Sequence, residues 1–258
     1  MYGGGRFEVR RFPELDSTNR YLLDEARAGA PEGLVVTADH QTAGRGRLGR
    51  RWEAPPGANL LASVLLRPTL PLEQLHLCTV AMALAARAAA AAVAGIEPVL
   101  KWPNDVMVGE RKLAGILAEA IPGAVVVGIG VNVAWPPPDG GPGSDQVPPA
   151  LRSATSLWRE ARGPGPQILP DVGVLLDVLL DELGDRLNDL ADTEGRRRLA
   201  SDYRRVCTTV GREVTVSLSG DETVTGTALD ITVEGHLLVD IGACIRTITA
   251  GDVVHLRI

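Results

Sequence analysis

Residues 101–117 read KWPNDVMVGERKLAGIL. The stretch opens on the end of an apolar run (PVLKW, 98–102), turns at Pro103-Asn104-Asp105 and leads into KLAGILAEAI (112–121). A second turn at Pro122-Gly123 leads into AVVVGIGVNV (124–133). Pro fixes φ and lacks an N–H, while Asn, Asp and Gly favour tight turns, so both points read as strand breaks. Three strand-like runs joined this closely predict an antiparallel portion of a sheet, because parallel neighbours need long crossovers. The same stretch holds the only two lysines among 26 basic residues, Lys101 and Lys112. Arginine serves everywhere else, so a compact ammonium at these positions invites a chemical reason.

Toward the N-terminus, FEVRRF (7–12) alternates like a strand. LDSTNRYLLDEARAG (15–29) reads as a helix capped by Asp16 or Ser17 and ended by Gly29. GLVVTADH (33–40) and ANLLASVLLRP (58–68) are strands, with a Gly- and Arg-rich loop, QTAGRGRLGRRWEAPPG (41–57), between them. LEQLHLCTVAMALAARAAAAAVAG (72–95) is a long helix closed by Gly95. Toward the C-terminus, WPPPDGGPGSDQVPP (135–149) is dense enough in Pro and Gly to predict an exposed loop. Helical patterns return at 172–190 and 195–206. From about Val210 the texture becomes five short alternating runs with turn residues between them, the pattern of a small all-β barrel. The division expected is an α+β domain over residues 1–207 and a barrel over 208–258.

Composition narrows the function classes. A length of 258 residues suffices for one sizeable core or two domains. With 45% apolar but only 3% aromatic residues, the core must be built from Leu, Val, Ala and Ile. A formal charge of -6 gives no global attraction to nucleic acid or anionic membrane, so neither is expected as a partner. The longest apolar stretch, 77–94, is Ala-rich and broken by Arg87, which reads as a buried helix. MYGGGRFEVR lacks the apolar segment of an export signal. Cys78, Cys207 and Cys244 are few and odd in number, which points to a reducing, cytoplasmic setting. His40, His76, His236 and His255 show no zinc-ligand spacing.

Several short segments carry possible chemistry beside a plain structural reading. In Gly44-Arg45-Gly46-Arg47-Leu48-Gly49-Arg50-Arg51-Trp52, glycines can turn N–H groups inward as an anion nest, and arginines add forked donors. The plain reading is an exposed basic loop, and the Walker A pattern is absent. Asn104 and Asp105 end a strand, or offer oxygens to Mg²⁺. Lys112 opens a strand as a snorkelling cation or a functional one, and Gly115 permits close approach to the backbone. Gly128-Ile129-Gly130-Val131-Asn132 lacks the third glycine of a dinucleotide fingerprint and reads as glycines in a crowded strand. Ser17-Thr18-Asn19 is a helix cap whose hydroxyls and amide would also suit a small polar ring.

Taken in order, STN, QTAGRGRLGRRW, GANL, KWPND, RKLAGIL and GIGVNV closely resemble the biotin–protein ligase family across residues 16–133. The resemblance implies an α+β fold: a class II aminoacyl-tRNA synthetase/biotin ligase-like mixed sheet with helices, plus a small C-terminal SH3-like β-barrel. Few residues precede STN, so the form without an N-terminal DNA-binding domain is expected. The family activates biotin with Mg-ATP to biotinyl-5′-AMP. It then passes the biotinyl group to one lysine of a biotin carboxyl carrier domain of acyl-CoA carboxylases. By resemblance, Ser17, Thr18 and Asn19 lie at the ureido end of biotin, with Gln41 beside them. Gly44, Arg45, Gly46 and Arg47 form the loop over the adenylate, and Trp52 packs over the ligand. Lys112 contacts both the biotin carboxylate and the phosphate, and Gly115 lets biotin approach the strand. Asn104, Asp105 and Asn132 fall near the nucleotide or metal.

The catalytic set implied is thus Lys112, Arg45, Arg47 and Asp105. Nucleotide contacts fall to Arg45, Arg47, Trp52, Asn104, Lys112 and Asn132. No metal is fixed by the protein alone; Mg²⁺ arrives with ATP, near Asp105. The adenine contacts have no matching motif: Trp158 is either a stacking partner or a buried helix tryptophan. The assembly implied is a monomer or homodimer. The arginine loop is expected to be mobile before ligand binds, since its residues have no evident packing partner. Two alternatives remain beside this reading: a lipoate–protein ligase-like acyl transfer and a non-catalytic biotin-binding regulator.

Overall fold

A computed structural model describes residues 6–141, 143–151, 153–161, 169–218 and 222–256. Part of the Pro-rich segment and the ends of the first and last runs read in the C-terminal portion lie outside the described residues, as do the first five residues.

The strands β1 (Glu8–Leu15), β2 (Leu34–Gln41), β3 (Leu60–Leu66), β4 (Val99–Lys101), β5 (Asp105–Val108), β6 (Arg111–Ile121) and β7 (Ala124–Val131) form one sheet. Its order is β1-β2-β3-β7-β6-β5-β4. β1 and β2 run parallel, joined by the crossover helix α1 (Thr18–Arg27), and the remaining ladders are antiparallel. The antiparallel portion expected from the tight turns is present, with one addition. Asp105, expected to end a turn, begins β5, and Lys101 pairs opposite it across a short hairpin.

Two layers cover this sheet. On one face, Leu22, Leu23 and Ala26 of α1 pack on Leu34, Val36, Leu65 and Val126. On the other lies α2 (His76–Ala94), backed by α4 (Val172–Asp189) and α5 (Thr193–Val206). The stretch Leu72–Ala94 is long and apolar enough to cross a membrane, yet most of it is buried against sheet and helices. An all-round apolar helix inside a core has that composition too. Gly95, at φ 63°, closes α2 in the left-handed region where glycine carries no Cβ penalty.

After the short helix α3 (Leu157–Glu160) and the pair α4–α5 come β8 (Glu213–Ser217), β9 (Thr223–Ile231), β10 (Leu237–Asp240), β11 (Ile245–Ile248) and β12 (Asp252–His255). They pair antiparallel in the order β11-β10-β9-β8-β12, with no β11–β12 ladder closing the barrel among the described residues. The exposed loop expected at residues 135–149 is exposed only in part. Pro136 and Pro137 are buried, because Asn59 Oδ1 accepts from Val133 N (3.0 Å) and Trp135 N (3.3 Å) and Ser156 Oγ donates to Pro136 O (2.6 Å).

Candidate active site

Side chains alternate along a strand. On β7, Val125, Val127, Ile129 and Val131 enter the α2 core, so Gly128 and Gly130 face the α1 side. A Cβ at Gly128 would stand 2.0 Å from Asn19 Oδ1, and one at Gly130 2.4 Å from Trp52 Cε2. Gly115 of β6 pairs opposite Gly130, and a Cβ there would meet Lys112 Nζ at 2.9 Å. The glycines let Asn19, Trp52 and Lys112 close directly onto the backbone at the floor of a pocket. Taken alone, the GIGVN glycines read as crowding in a strand; the crowding is by the side chains of the site itself.

At one end of the floor stands the start of α1. Ser17 caps the helix, its Oγ accepting from Arg20 N at 3.5 Å. Thr18 donates its N–H (2.8 Å) and its hydroxyl (3.1 Å) to Gln41 Oε1. Ser63 Oγ lies 2.7 Å from Thr18 Oγ1 and 2.6 Å from Asn19 Oδ1. Asn19 Nδ2 donates to Leu117 O (3.1 Å) and Glu119 Oε2 (2.8 Å), and the same carboxylate oxygen receives Arg45 Nη2 at 2.8 Å. Glu119 therefore ties the buried polar end to the arginine loop, a link between positions 74 apart that no local pattern advertises.

The loop is a small hairpin. Gly46 N donates to Arg50 O, Arg50 N to Arg47 O and Trp52 N to Gly44 O. Those three N–H groups are consumed inside the turn, and the arginine side chains add donors beside the others. The arginines have partners after all: Arg45 on Glu119, Arg47 Nη2 on Gly251 O (3.0 Å) and Arg50 on Asp252 (2.8 Å). Burial pushes the Arg47 pKa below its ordinary value, opposed by Asp252 and Asp105.

Lys112 Nζ lies 2.6 Å from Asp105 Oδ1 and 5.7 Å from the centre of the Trp52 ring. The hairpin β4–β5 and strand β6 set this pair, since Asp105 and Lys112 lie on adjacent strands. Asn104 is buried, donating to Ile116 O at 2.8 Å. Asn132 Nδ2 is spent on Thr155 O (2.9 Å) and Lys112 O (3.3 Å), and its Oδ1 accepts from Asn59 at 3.0 Å.

One pocket gathers these groups. Ser17, Thr18, Asn19 and Gln41 line one end, Arg45, Gly46, Arg47 and Trp52 its roof, and Asn104, Lys112, Gly115 and Asn132 the remainder. Gly44 stands behind the roof, against the Trp52 carbonyl, and Asp105 reaches the pocket through Lys112. Beyond Asn132 the wall is Trp135, Pro136, Leu151 and Ala154, none of which the sequence singled out. Trp158 is not part of the wall; its N–H donates to Val133 O. Two donors in the pocket wall, Arg47 Nε and Trp52 Nε1, are buried without a hydrogen-bond partner among the described residues.

Residues 12–134 match the biotin/lipoate A/B protein ligase family, and residues 209–256 match the biotin protein ligase C-terminal domain. The chain is 37% identical to the biotin–acetyl-CoA-carboxylase ligase of Mycobacterium tuberculosis over 99% of its own length and 91% of the relative's. The chain belongs to the biotin–protein ligase family. The bifunctional ligase/repressor BirA of Bacillus subtilis (strain 168) is 32% identical over 93% of this chain and 71% of its own. The biotin protein ligase of Aquifex aeolicus, solved in complex with biotin and ATP, superposes with a TM-score of 0.76 at 27% identity, covering 97% of this chain and 99% of that one. Both sheets thus have counterparts in the ligase fold.

Proposed function

We propose that this ligase activates biotin with Mg-ATP to biotinyl-5′-AMP and transfers the biotinyl group to one lysine of a biotin carboxyl carrier domain of an acyl-CoA carboxylase. The observation that carries the reading is the pair of orphaned donors, Arg47 Nε and Trp52 Nε1, in one pocket with Lys112 and the polar Ser17–Gln41 end. A buried donor without a partner costs about 1–3 kcal/mol, and both atoms are covered here, so a ligand offering acceptor oxygens relieves that cost only as Trp52 and the loop shift to admit it.

Biotin's carboxylate must attack the α-phosphorus of ATP, expelling pyrophosphate, so two anions have to meet. Lys112, Arg45 and Arg47 offset that repulsion and stabilise the charge that spreads over the phosphoryl oxygens. An ammonium can follow the shifting oxygens where a fork would hold one geometry. Gly115 lets the chain of biotin approach β6 once the Trp52 indole lifts to pack over it, with Ser17, Thr18, Asn19 and Gln41 at the ureido end; Gly128 and Gly130 leave the room that Asn19 and Trp52 occupy. Asn104 and Asp105 offer oxygens near the phosphates, too few to hold Mg²⁺ alone, so the ion comes with ATP. Asn132 positions Lys112 through the backbone, and Trp135 with Ala154 makes a wall for the base. In the second step the acceptor amine attacks the acyl carbon, AMP leaves and the amine loses its proton, with Asp105 orienting it. Asp105→Asn should slow transfer from preformed biotinyl-AMP; an unchanged rate removes Asp105 from that role.

We place the division of labour at residue 207, with the catalytic part before it and the β domain after it. The setting is cytoplasmic, with neither nucleic acid nor membrane as partner and a monomer or homodimer as the working unit. The polar closed end, with Ser17, Thr18, Asn19 and Gln41 together, favours a cyclic urea that can exchange hydrogen bonds with it over an apolar dithiolane that cannot. Mixing the protein with biotin, Mg-ATP and a carrier domain should put one biotinyl group on one carrier lysine, read by mass spectrometry. Failure to do so, with lipoate accepted instead, would overturn the reading.

A further inference from the structure

We propose that Asp252 of the C-terminal sheet is a positioning residue that latches the arginine loop over the pocket and so retains the acyl-adenylate until transfer. The inference rests on the ligase reading above and extends it to a residue 202 positions from the loop it holds.

The loop has little packing of its own. Leu48 at its tip is 66% exposed, and beyond its own backbone bonds the hairpin is fastened to the rest of the chain by its arginines. Two of those contacts end on one turn of the C-terminal sheet: Arg50 Nη2 on Asp252 Oδ1 at 2.8 Å, and Arg47 Nη2 on Gly251 O at 3.0 Å. That turn is rigid. Asp252 pairs with Ser217 in the β8–β12 ladder, and a Cβ on Gly251 would strike Val216 Cγ1 at 2.5 Å. The C-terminal sheet also grips the opposite wall of the site. Trp102 donates its N–H to Thr209 Oγ1 and its Nε1–H to Gly235 O, both at 3.0 Å, and Thr208 N donates to Leu100 O at 2.8 Å. The hairpin bearing Asp105 and the loop bearing Arg47 are therefore fastened to one body. Arg47 and Arg50 both line the pocket, so loosening the Asp252 end opens the roof.

Biotinyl-AMP is a mixed anhydride. Any free amine that reaches it attacks the acyl carbon, releases AMP and gives up a proton, so an open roof shows as biotin on bystander lysines. The full chain would be incubated with biotin, Mg-ATP and a lysine-rich protein that has no carrier fold. Streptavidin blotting reads the bystander, and a parallel assay reads transfer to a carrier domain. Asp252→Asn should raise bystander labelling by up to about fivefold, the upper end of what one exposed ion pair contributes, with an unchanged thermal midpoint. Arg50→Gln, which breaks the pair from the loop side, should do the same. The exchange Arg50→Asp with Asp252→Arg should restore retention, which a merely destabilising change would not. Leakage equal to wild type in a folded Asp252→Asn or Arg50→Gln variant overturns the latch, as does a failed exchange. Absence of carrier labelling by the wild type would instead count against the ligase reading itself.

Discussion

Lys112 shows how little freedom a single residue has in this site. Its ammonium must stay within reach of Asp105 and beside the Trp52 ring, and it stands over Gly115 with room only for hydrogen. Lys112→Arg keeps the charge but brings a wider planar group to that spot. It should lower the rate of pyrophosphate release by about 10²–10³, as expected for losing one aimed donor at the reacting phosphate; a rate within threefold of wild type would mean that charge alone suffices. Gly130→Ala probes the floor instead. The new methyl would stand 2.4 Å from the Trp52 indole, which must then lift off the sheet. Biotinyl-AMP affinity should fall by about tenfold, or ~1.4 kcal/mol, while the melting temperature, set by the core on the other face, changes little. Calorimetric titration with a stable adenylate analogue checks it, and unchanged affinity would show that Trp52 is not held there when ligand is bound.

At the scale of elements, the C-terminal sheet meets the rest of the chain through two histidine environments, His76 at the start of α2 against the β9–β10 turn and His255 on β12 beside Thr209. His76 packs beside Trp102 and the Gly235 turn with its Nε2 buried and unpartnered, and burial, with Arg47 and His236 nearby, pushes its pKa down to about 3. His255, hydrogen-bonded to Thr209 at 3.1 Å, is pushed down to about 4 by burial and by Lys101. Both values fall below the ordinary 6.5, so the unfolded chain takes up these protons first as pH falls. Stability is complete above pH 6.5 and is lost from there toward pH 4 and 3. The slope for His76 approaches about 1.4 kcal/mol per pH unit, and that for the partly exposed His255 is smaller. Denaturant unfolding at pH 7.5 and 5.0 should show the loss, and His76→Gln should flatten it. Equal wild-type stability at the two values would show that neither ring is held neutral. These contacts also mark where sequence reading stops. Cap and closing residues such as Ser17 and Gly95, and the strand that ends at KWPND, were legible because their causes are local, while β5 after it was not. The Glu119–Arg45 and Arg50–Asp252 pairs, the burial of Pro136 and the side chains closed onto Gly128 and Gly130 depend on strand register and on partners far along the chain. The pairing of Asp105 with Lys112 lay between: both residues stood out, but only the β5–β6 ladder brings them together.

Across the whole molecule the supply of reactive amines is very small. A ligase that makes a mixed anhydride is exposed to its own product, since any lysine near the mouth of the site can capture the acyl group. Here 24 of the 26 basic side chains are guanidinium groups, which stay protonated and do not attack. Of the two lysines, Lys112 is held by Asp105 inside the pocket. Lys101 opens the hairpin that presents Asn104 and Asp105, and burial lowers its pKa, which raises its amine fraction but keeps it within the fold. The arginines on the loop and along the sheet edges thus provide positive charge for phosphates without providing nucleophiles. Biotin and Mg-ATP alone, without carrier, should therefore label the chain scarcely at all, with the α-amino group as the principal acceptor. Peptide mapping by mass spectrometry after long incubation checks this. Heavy biotinylation of Lys101 would show that the amine supply is open to the escaping adenylate and that the arginine-for-lysine bias has no protective consequence. Labelling confined to Lys112 would show instead that the closed roof lets the adenylate react with the residue that made it.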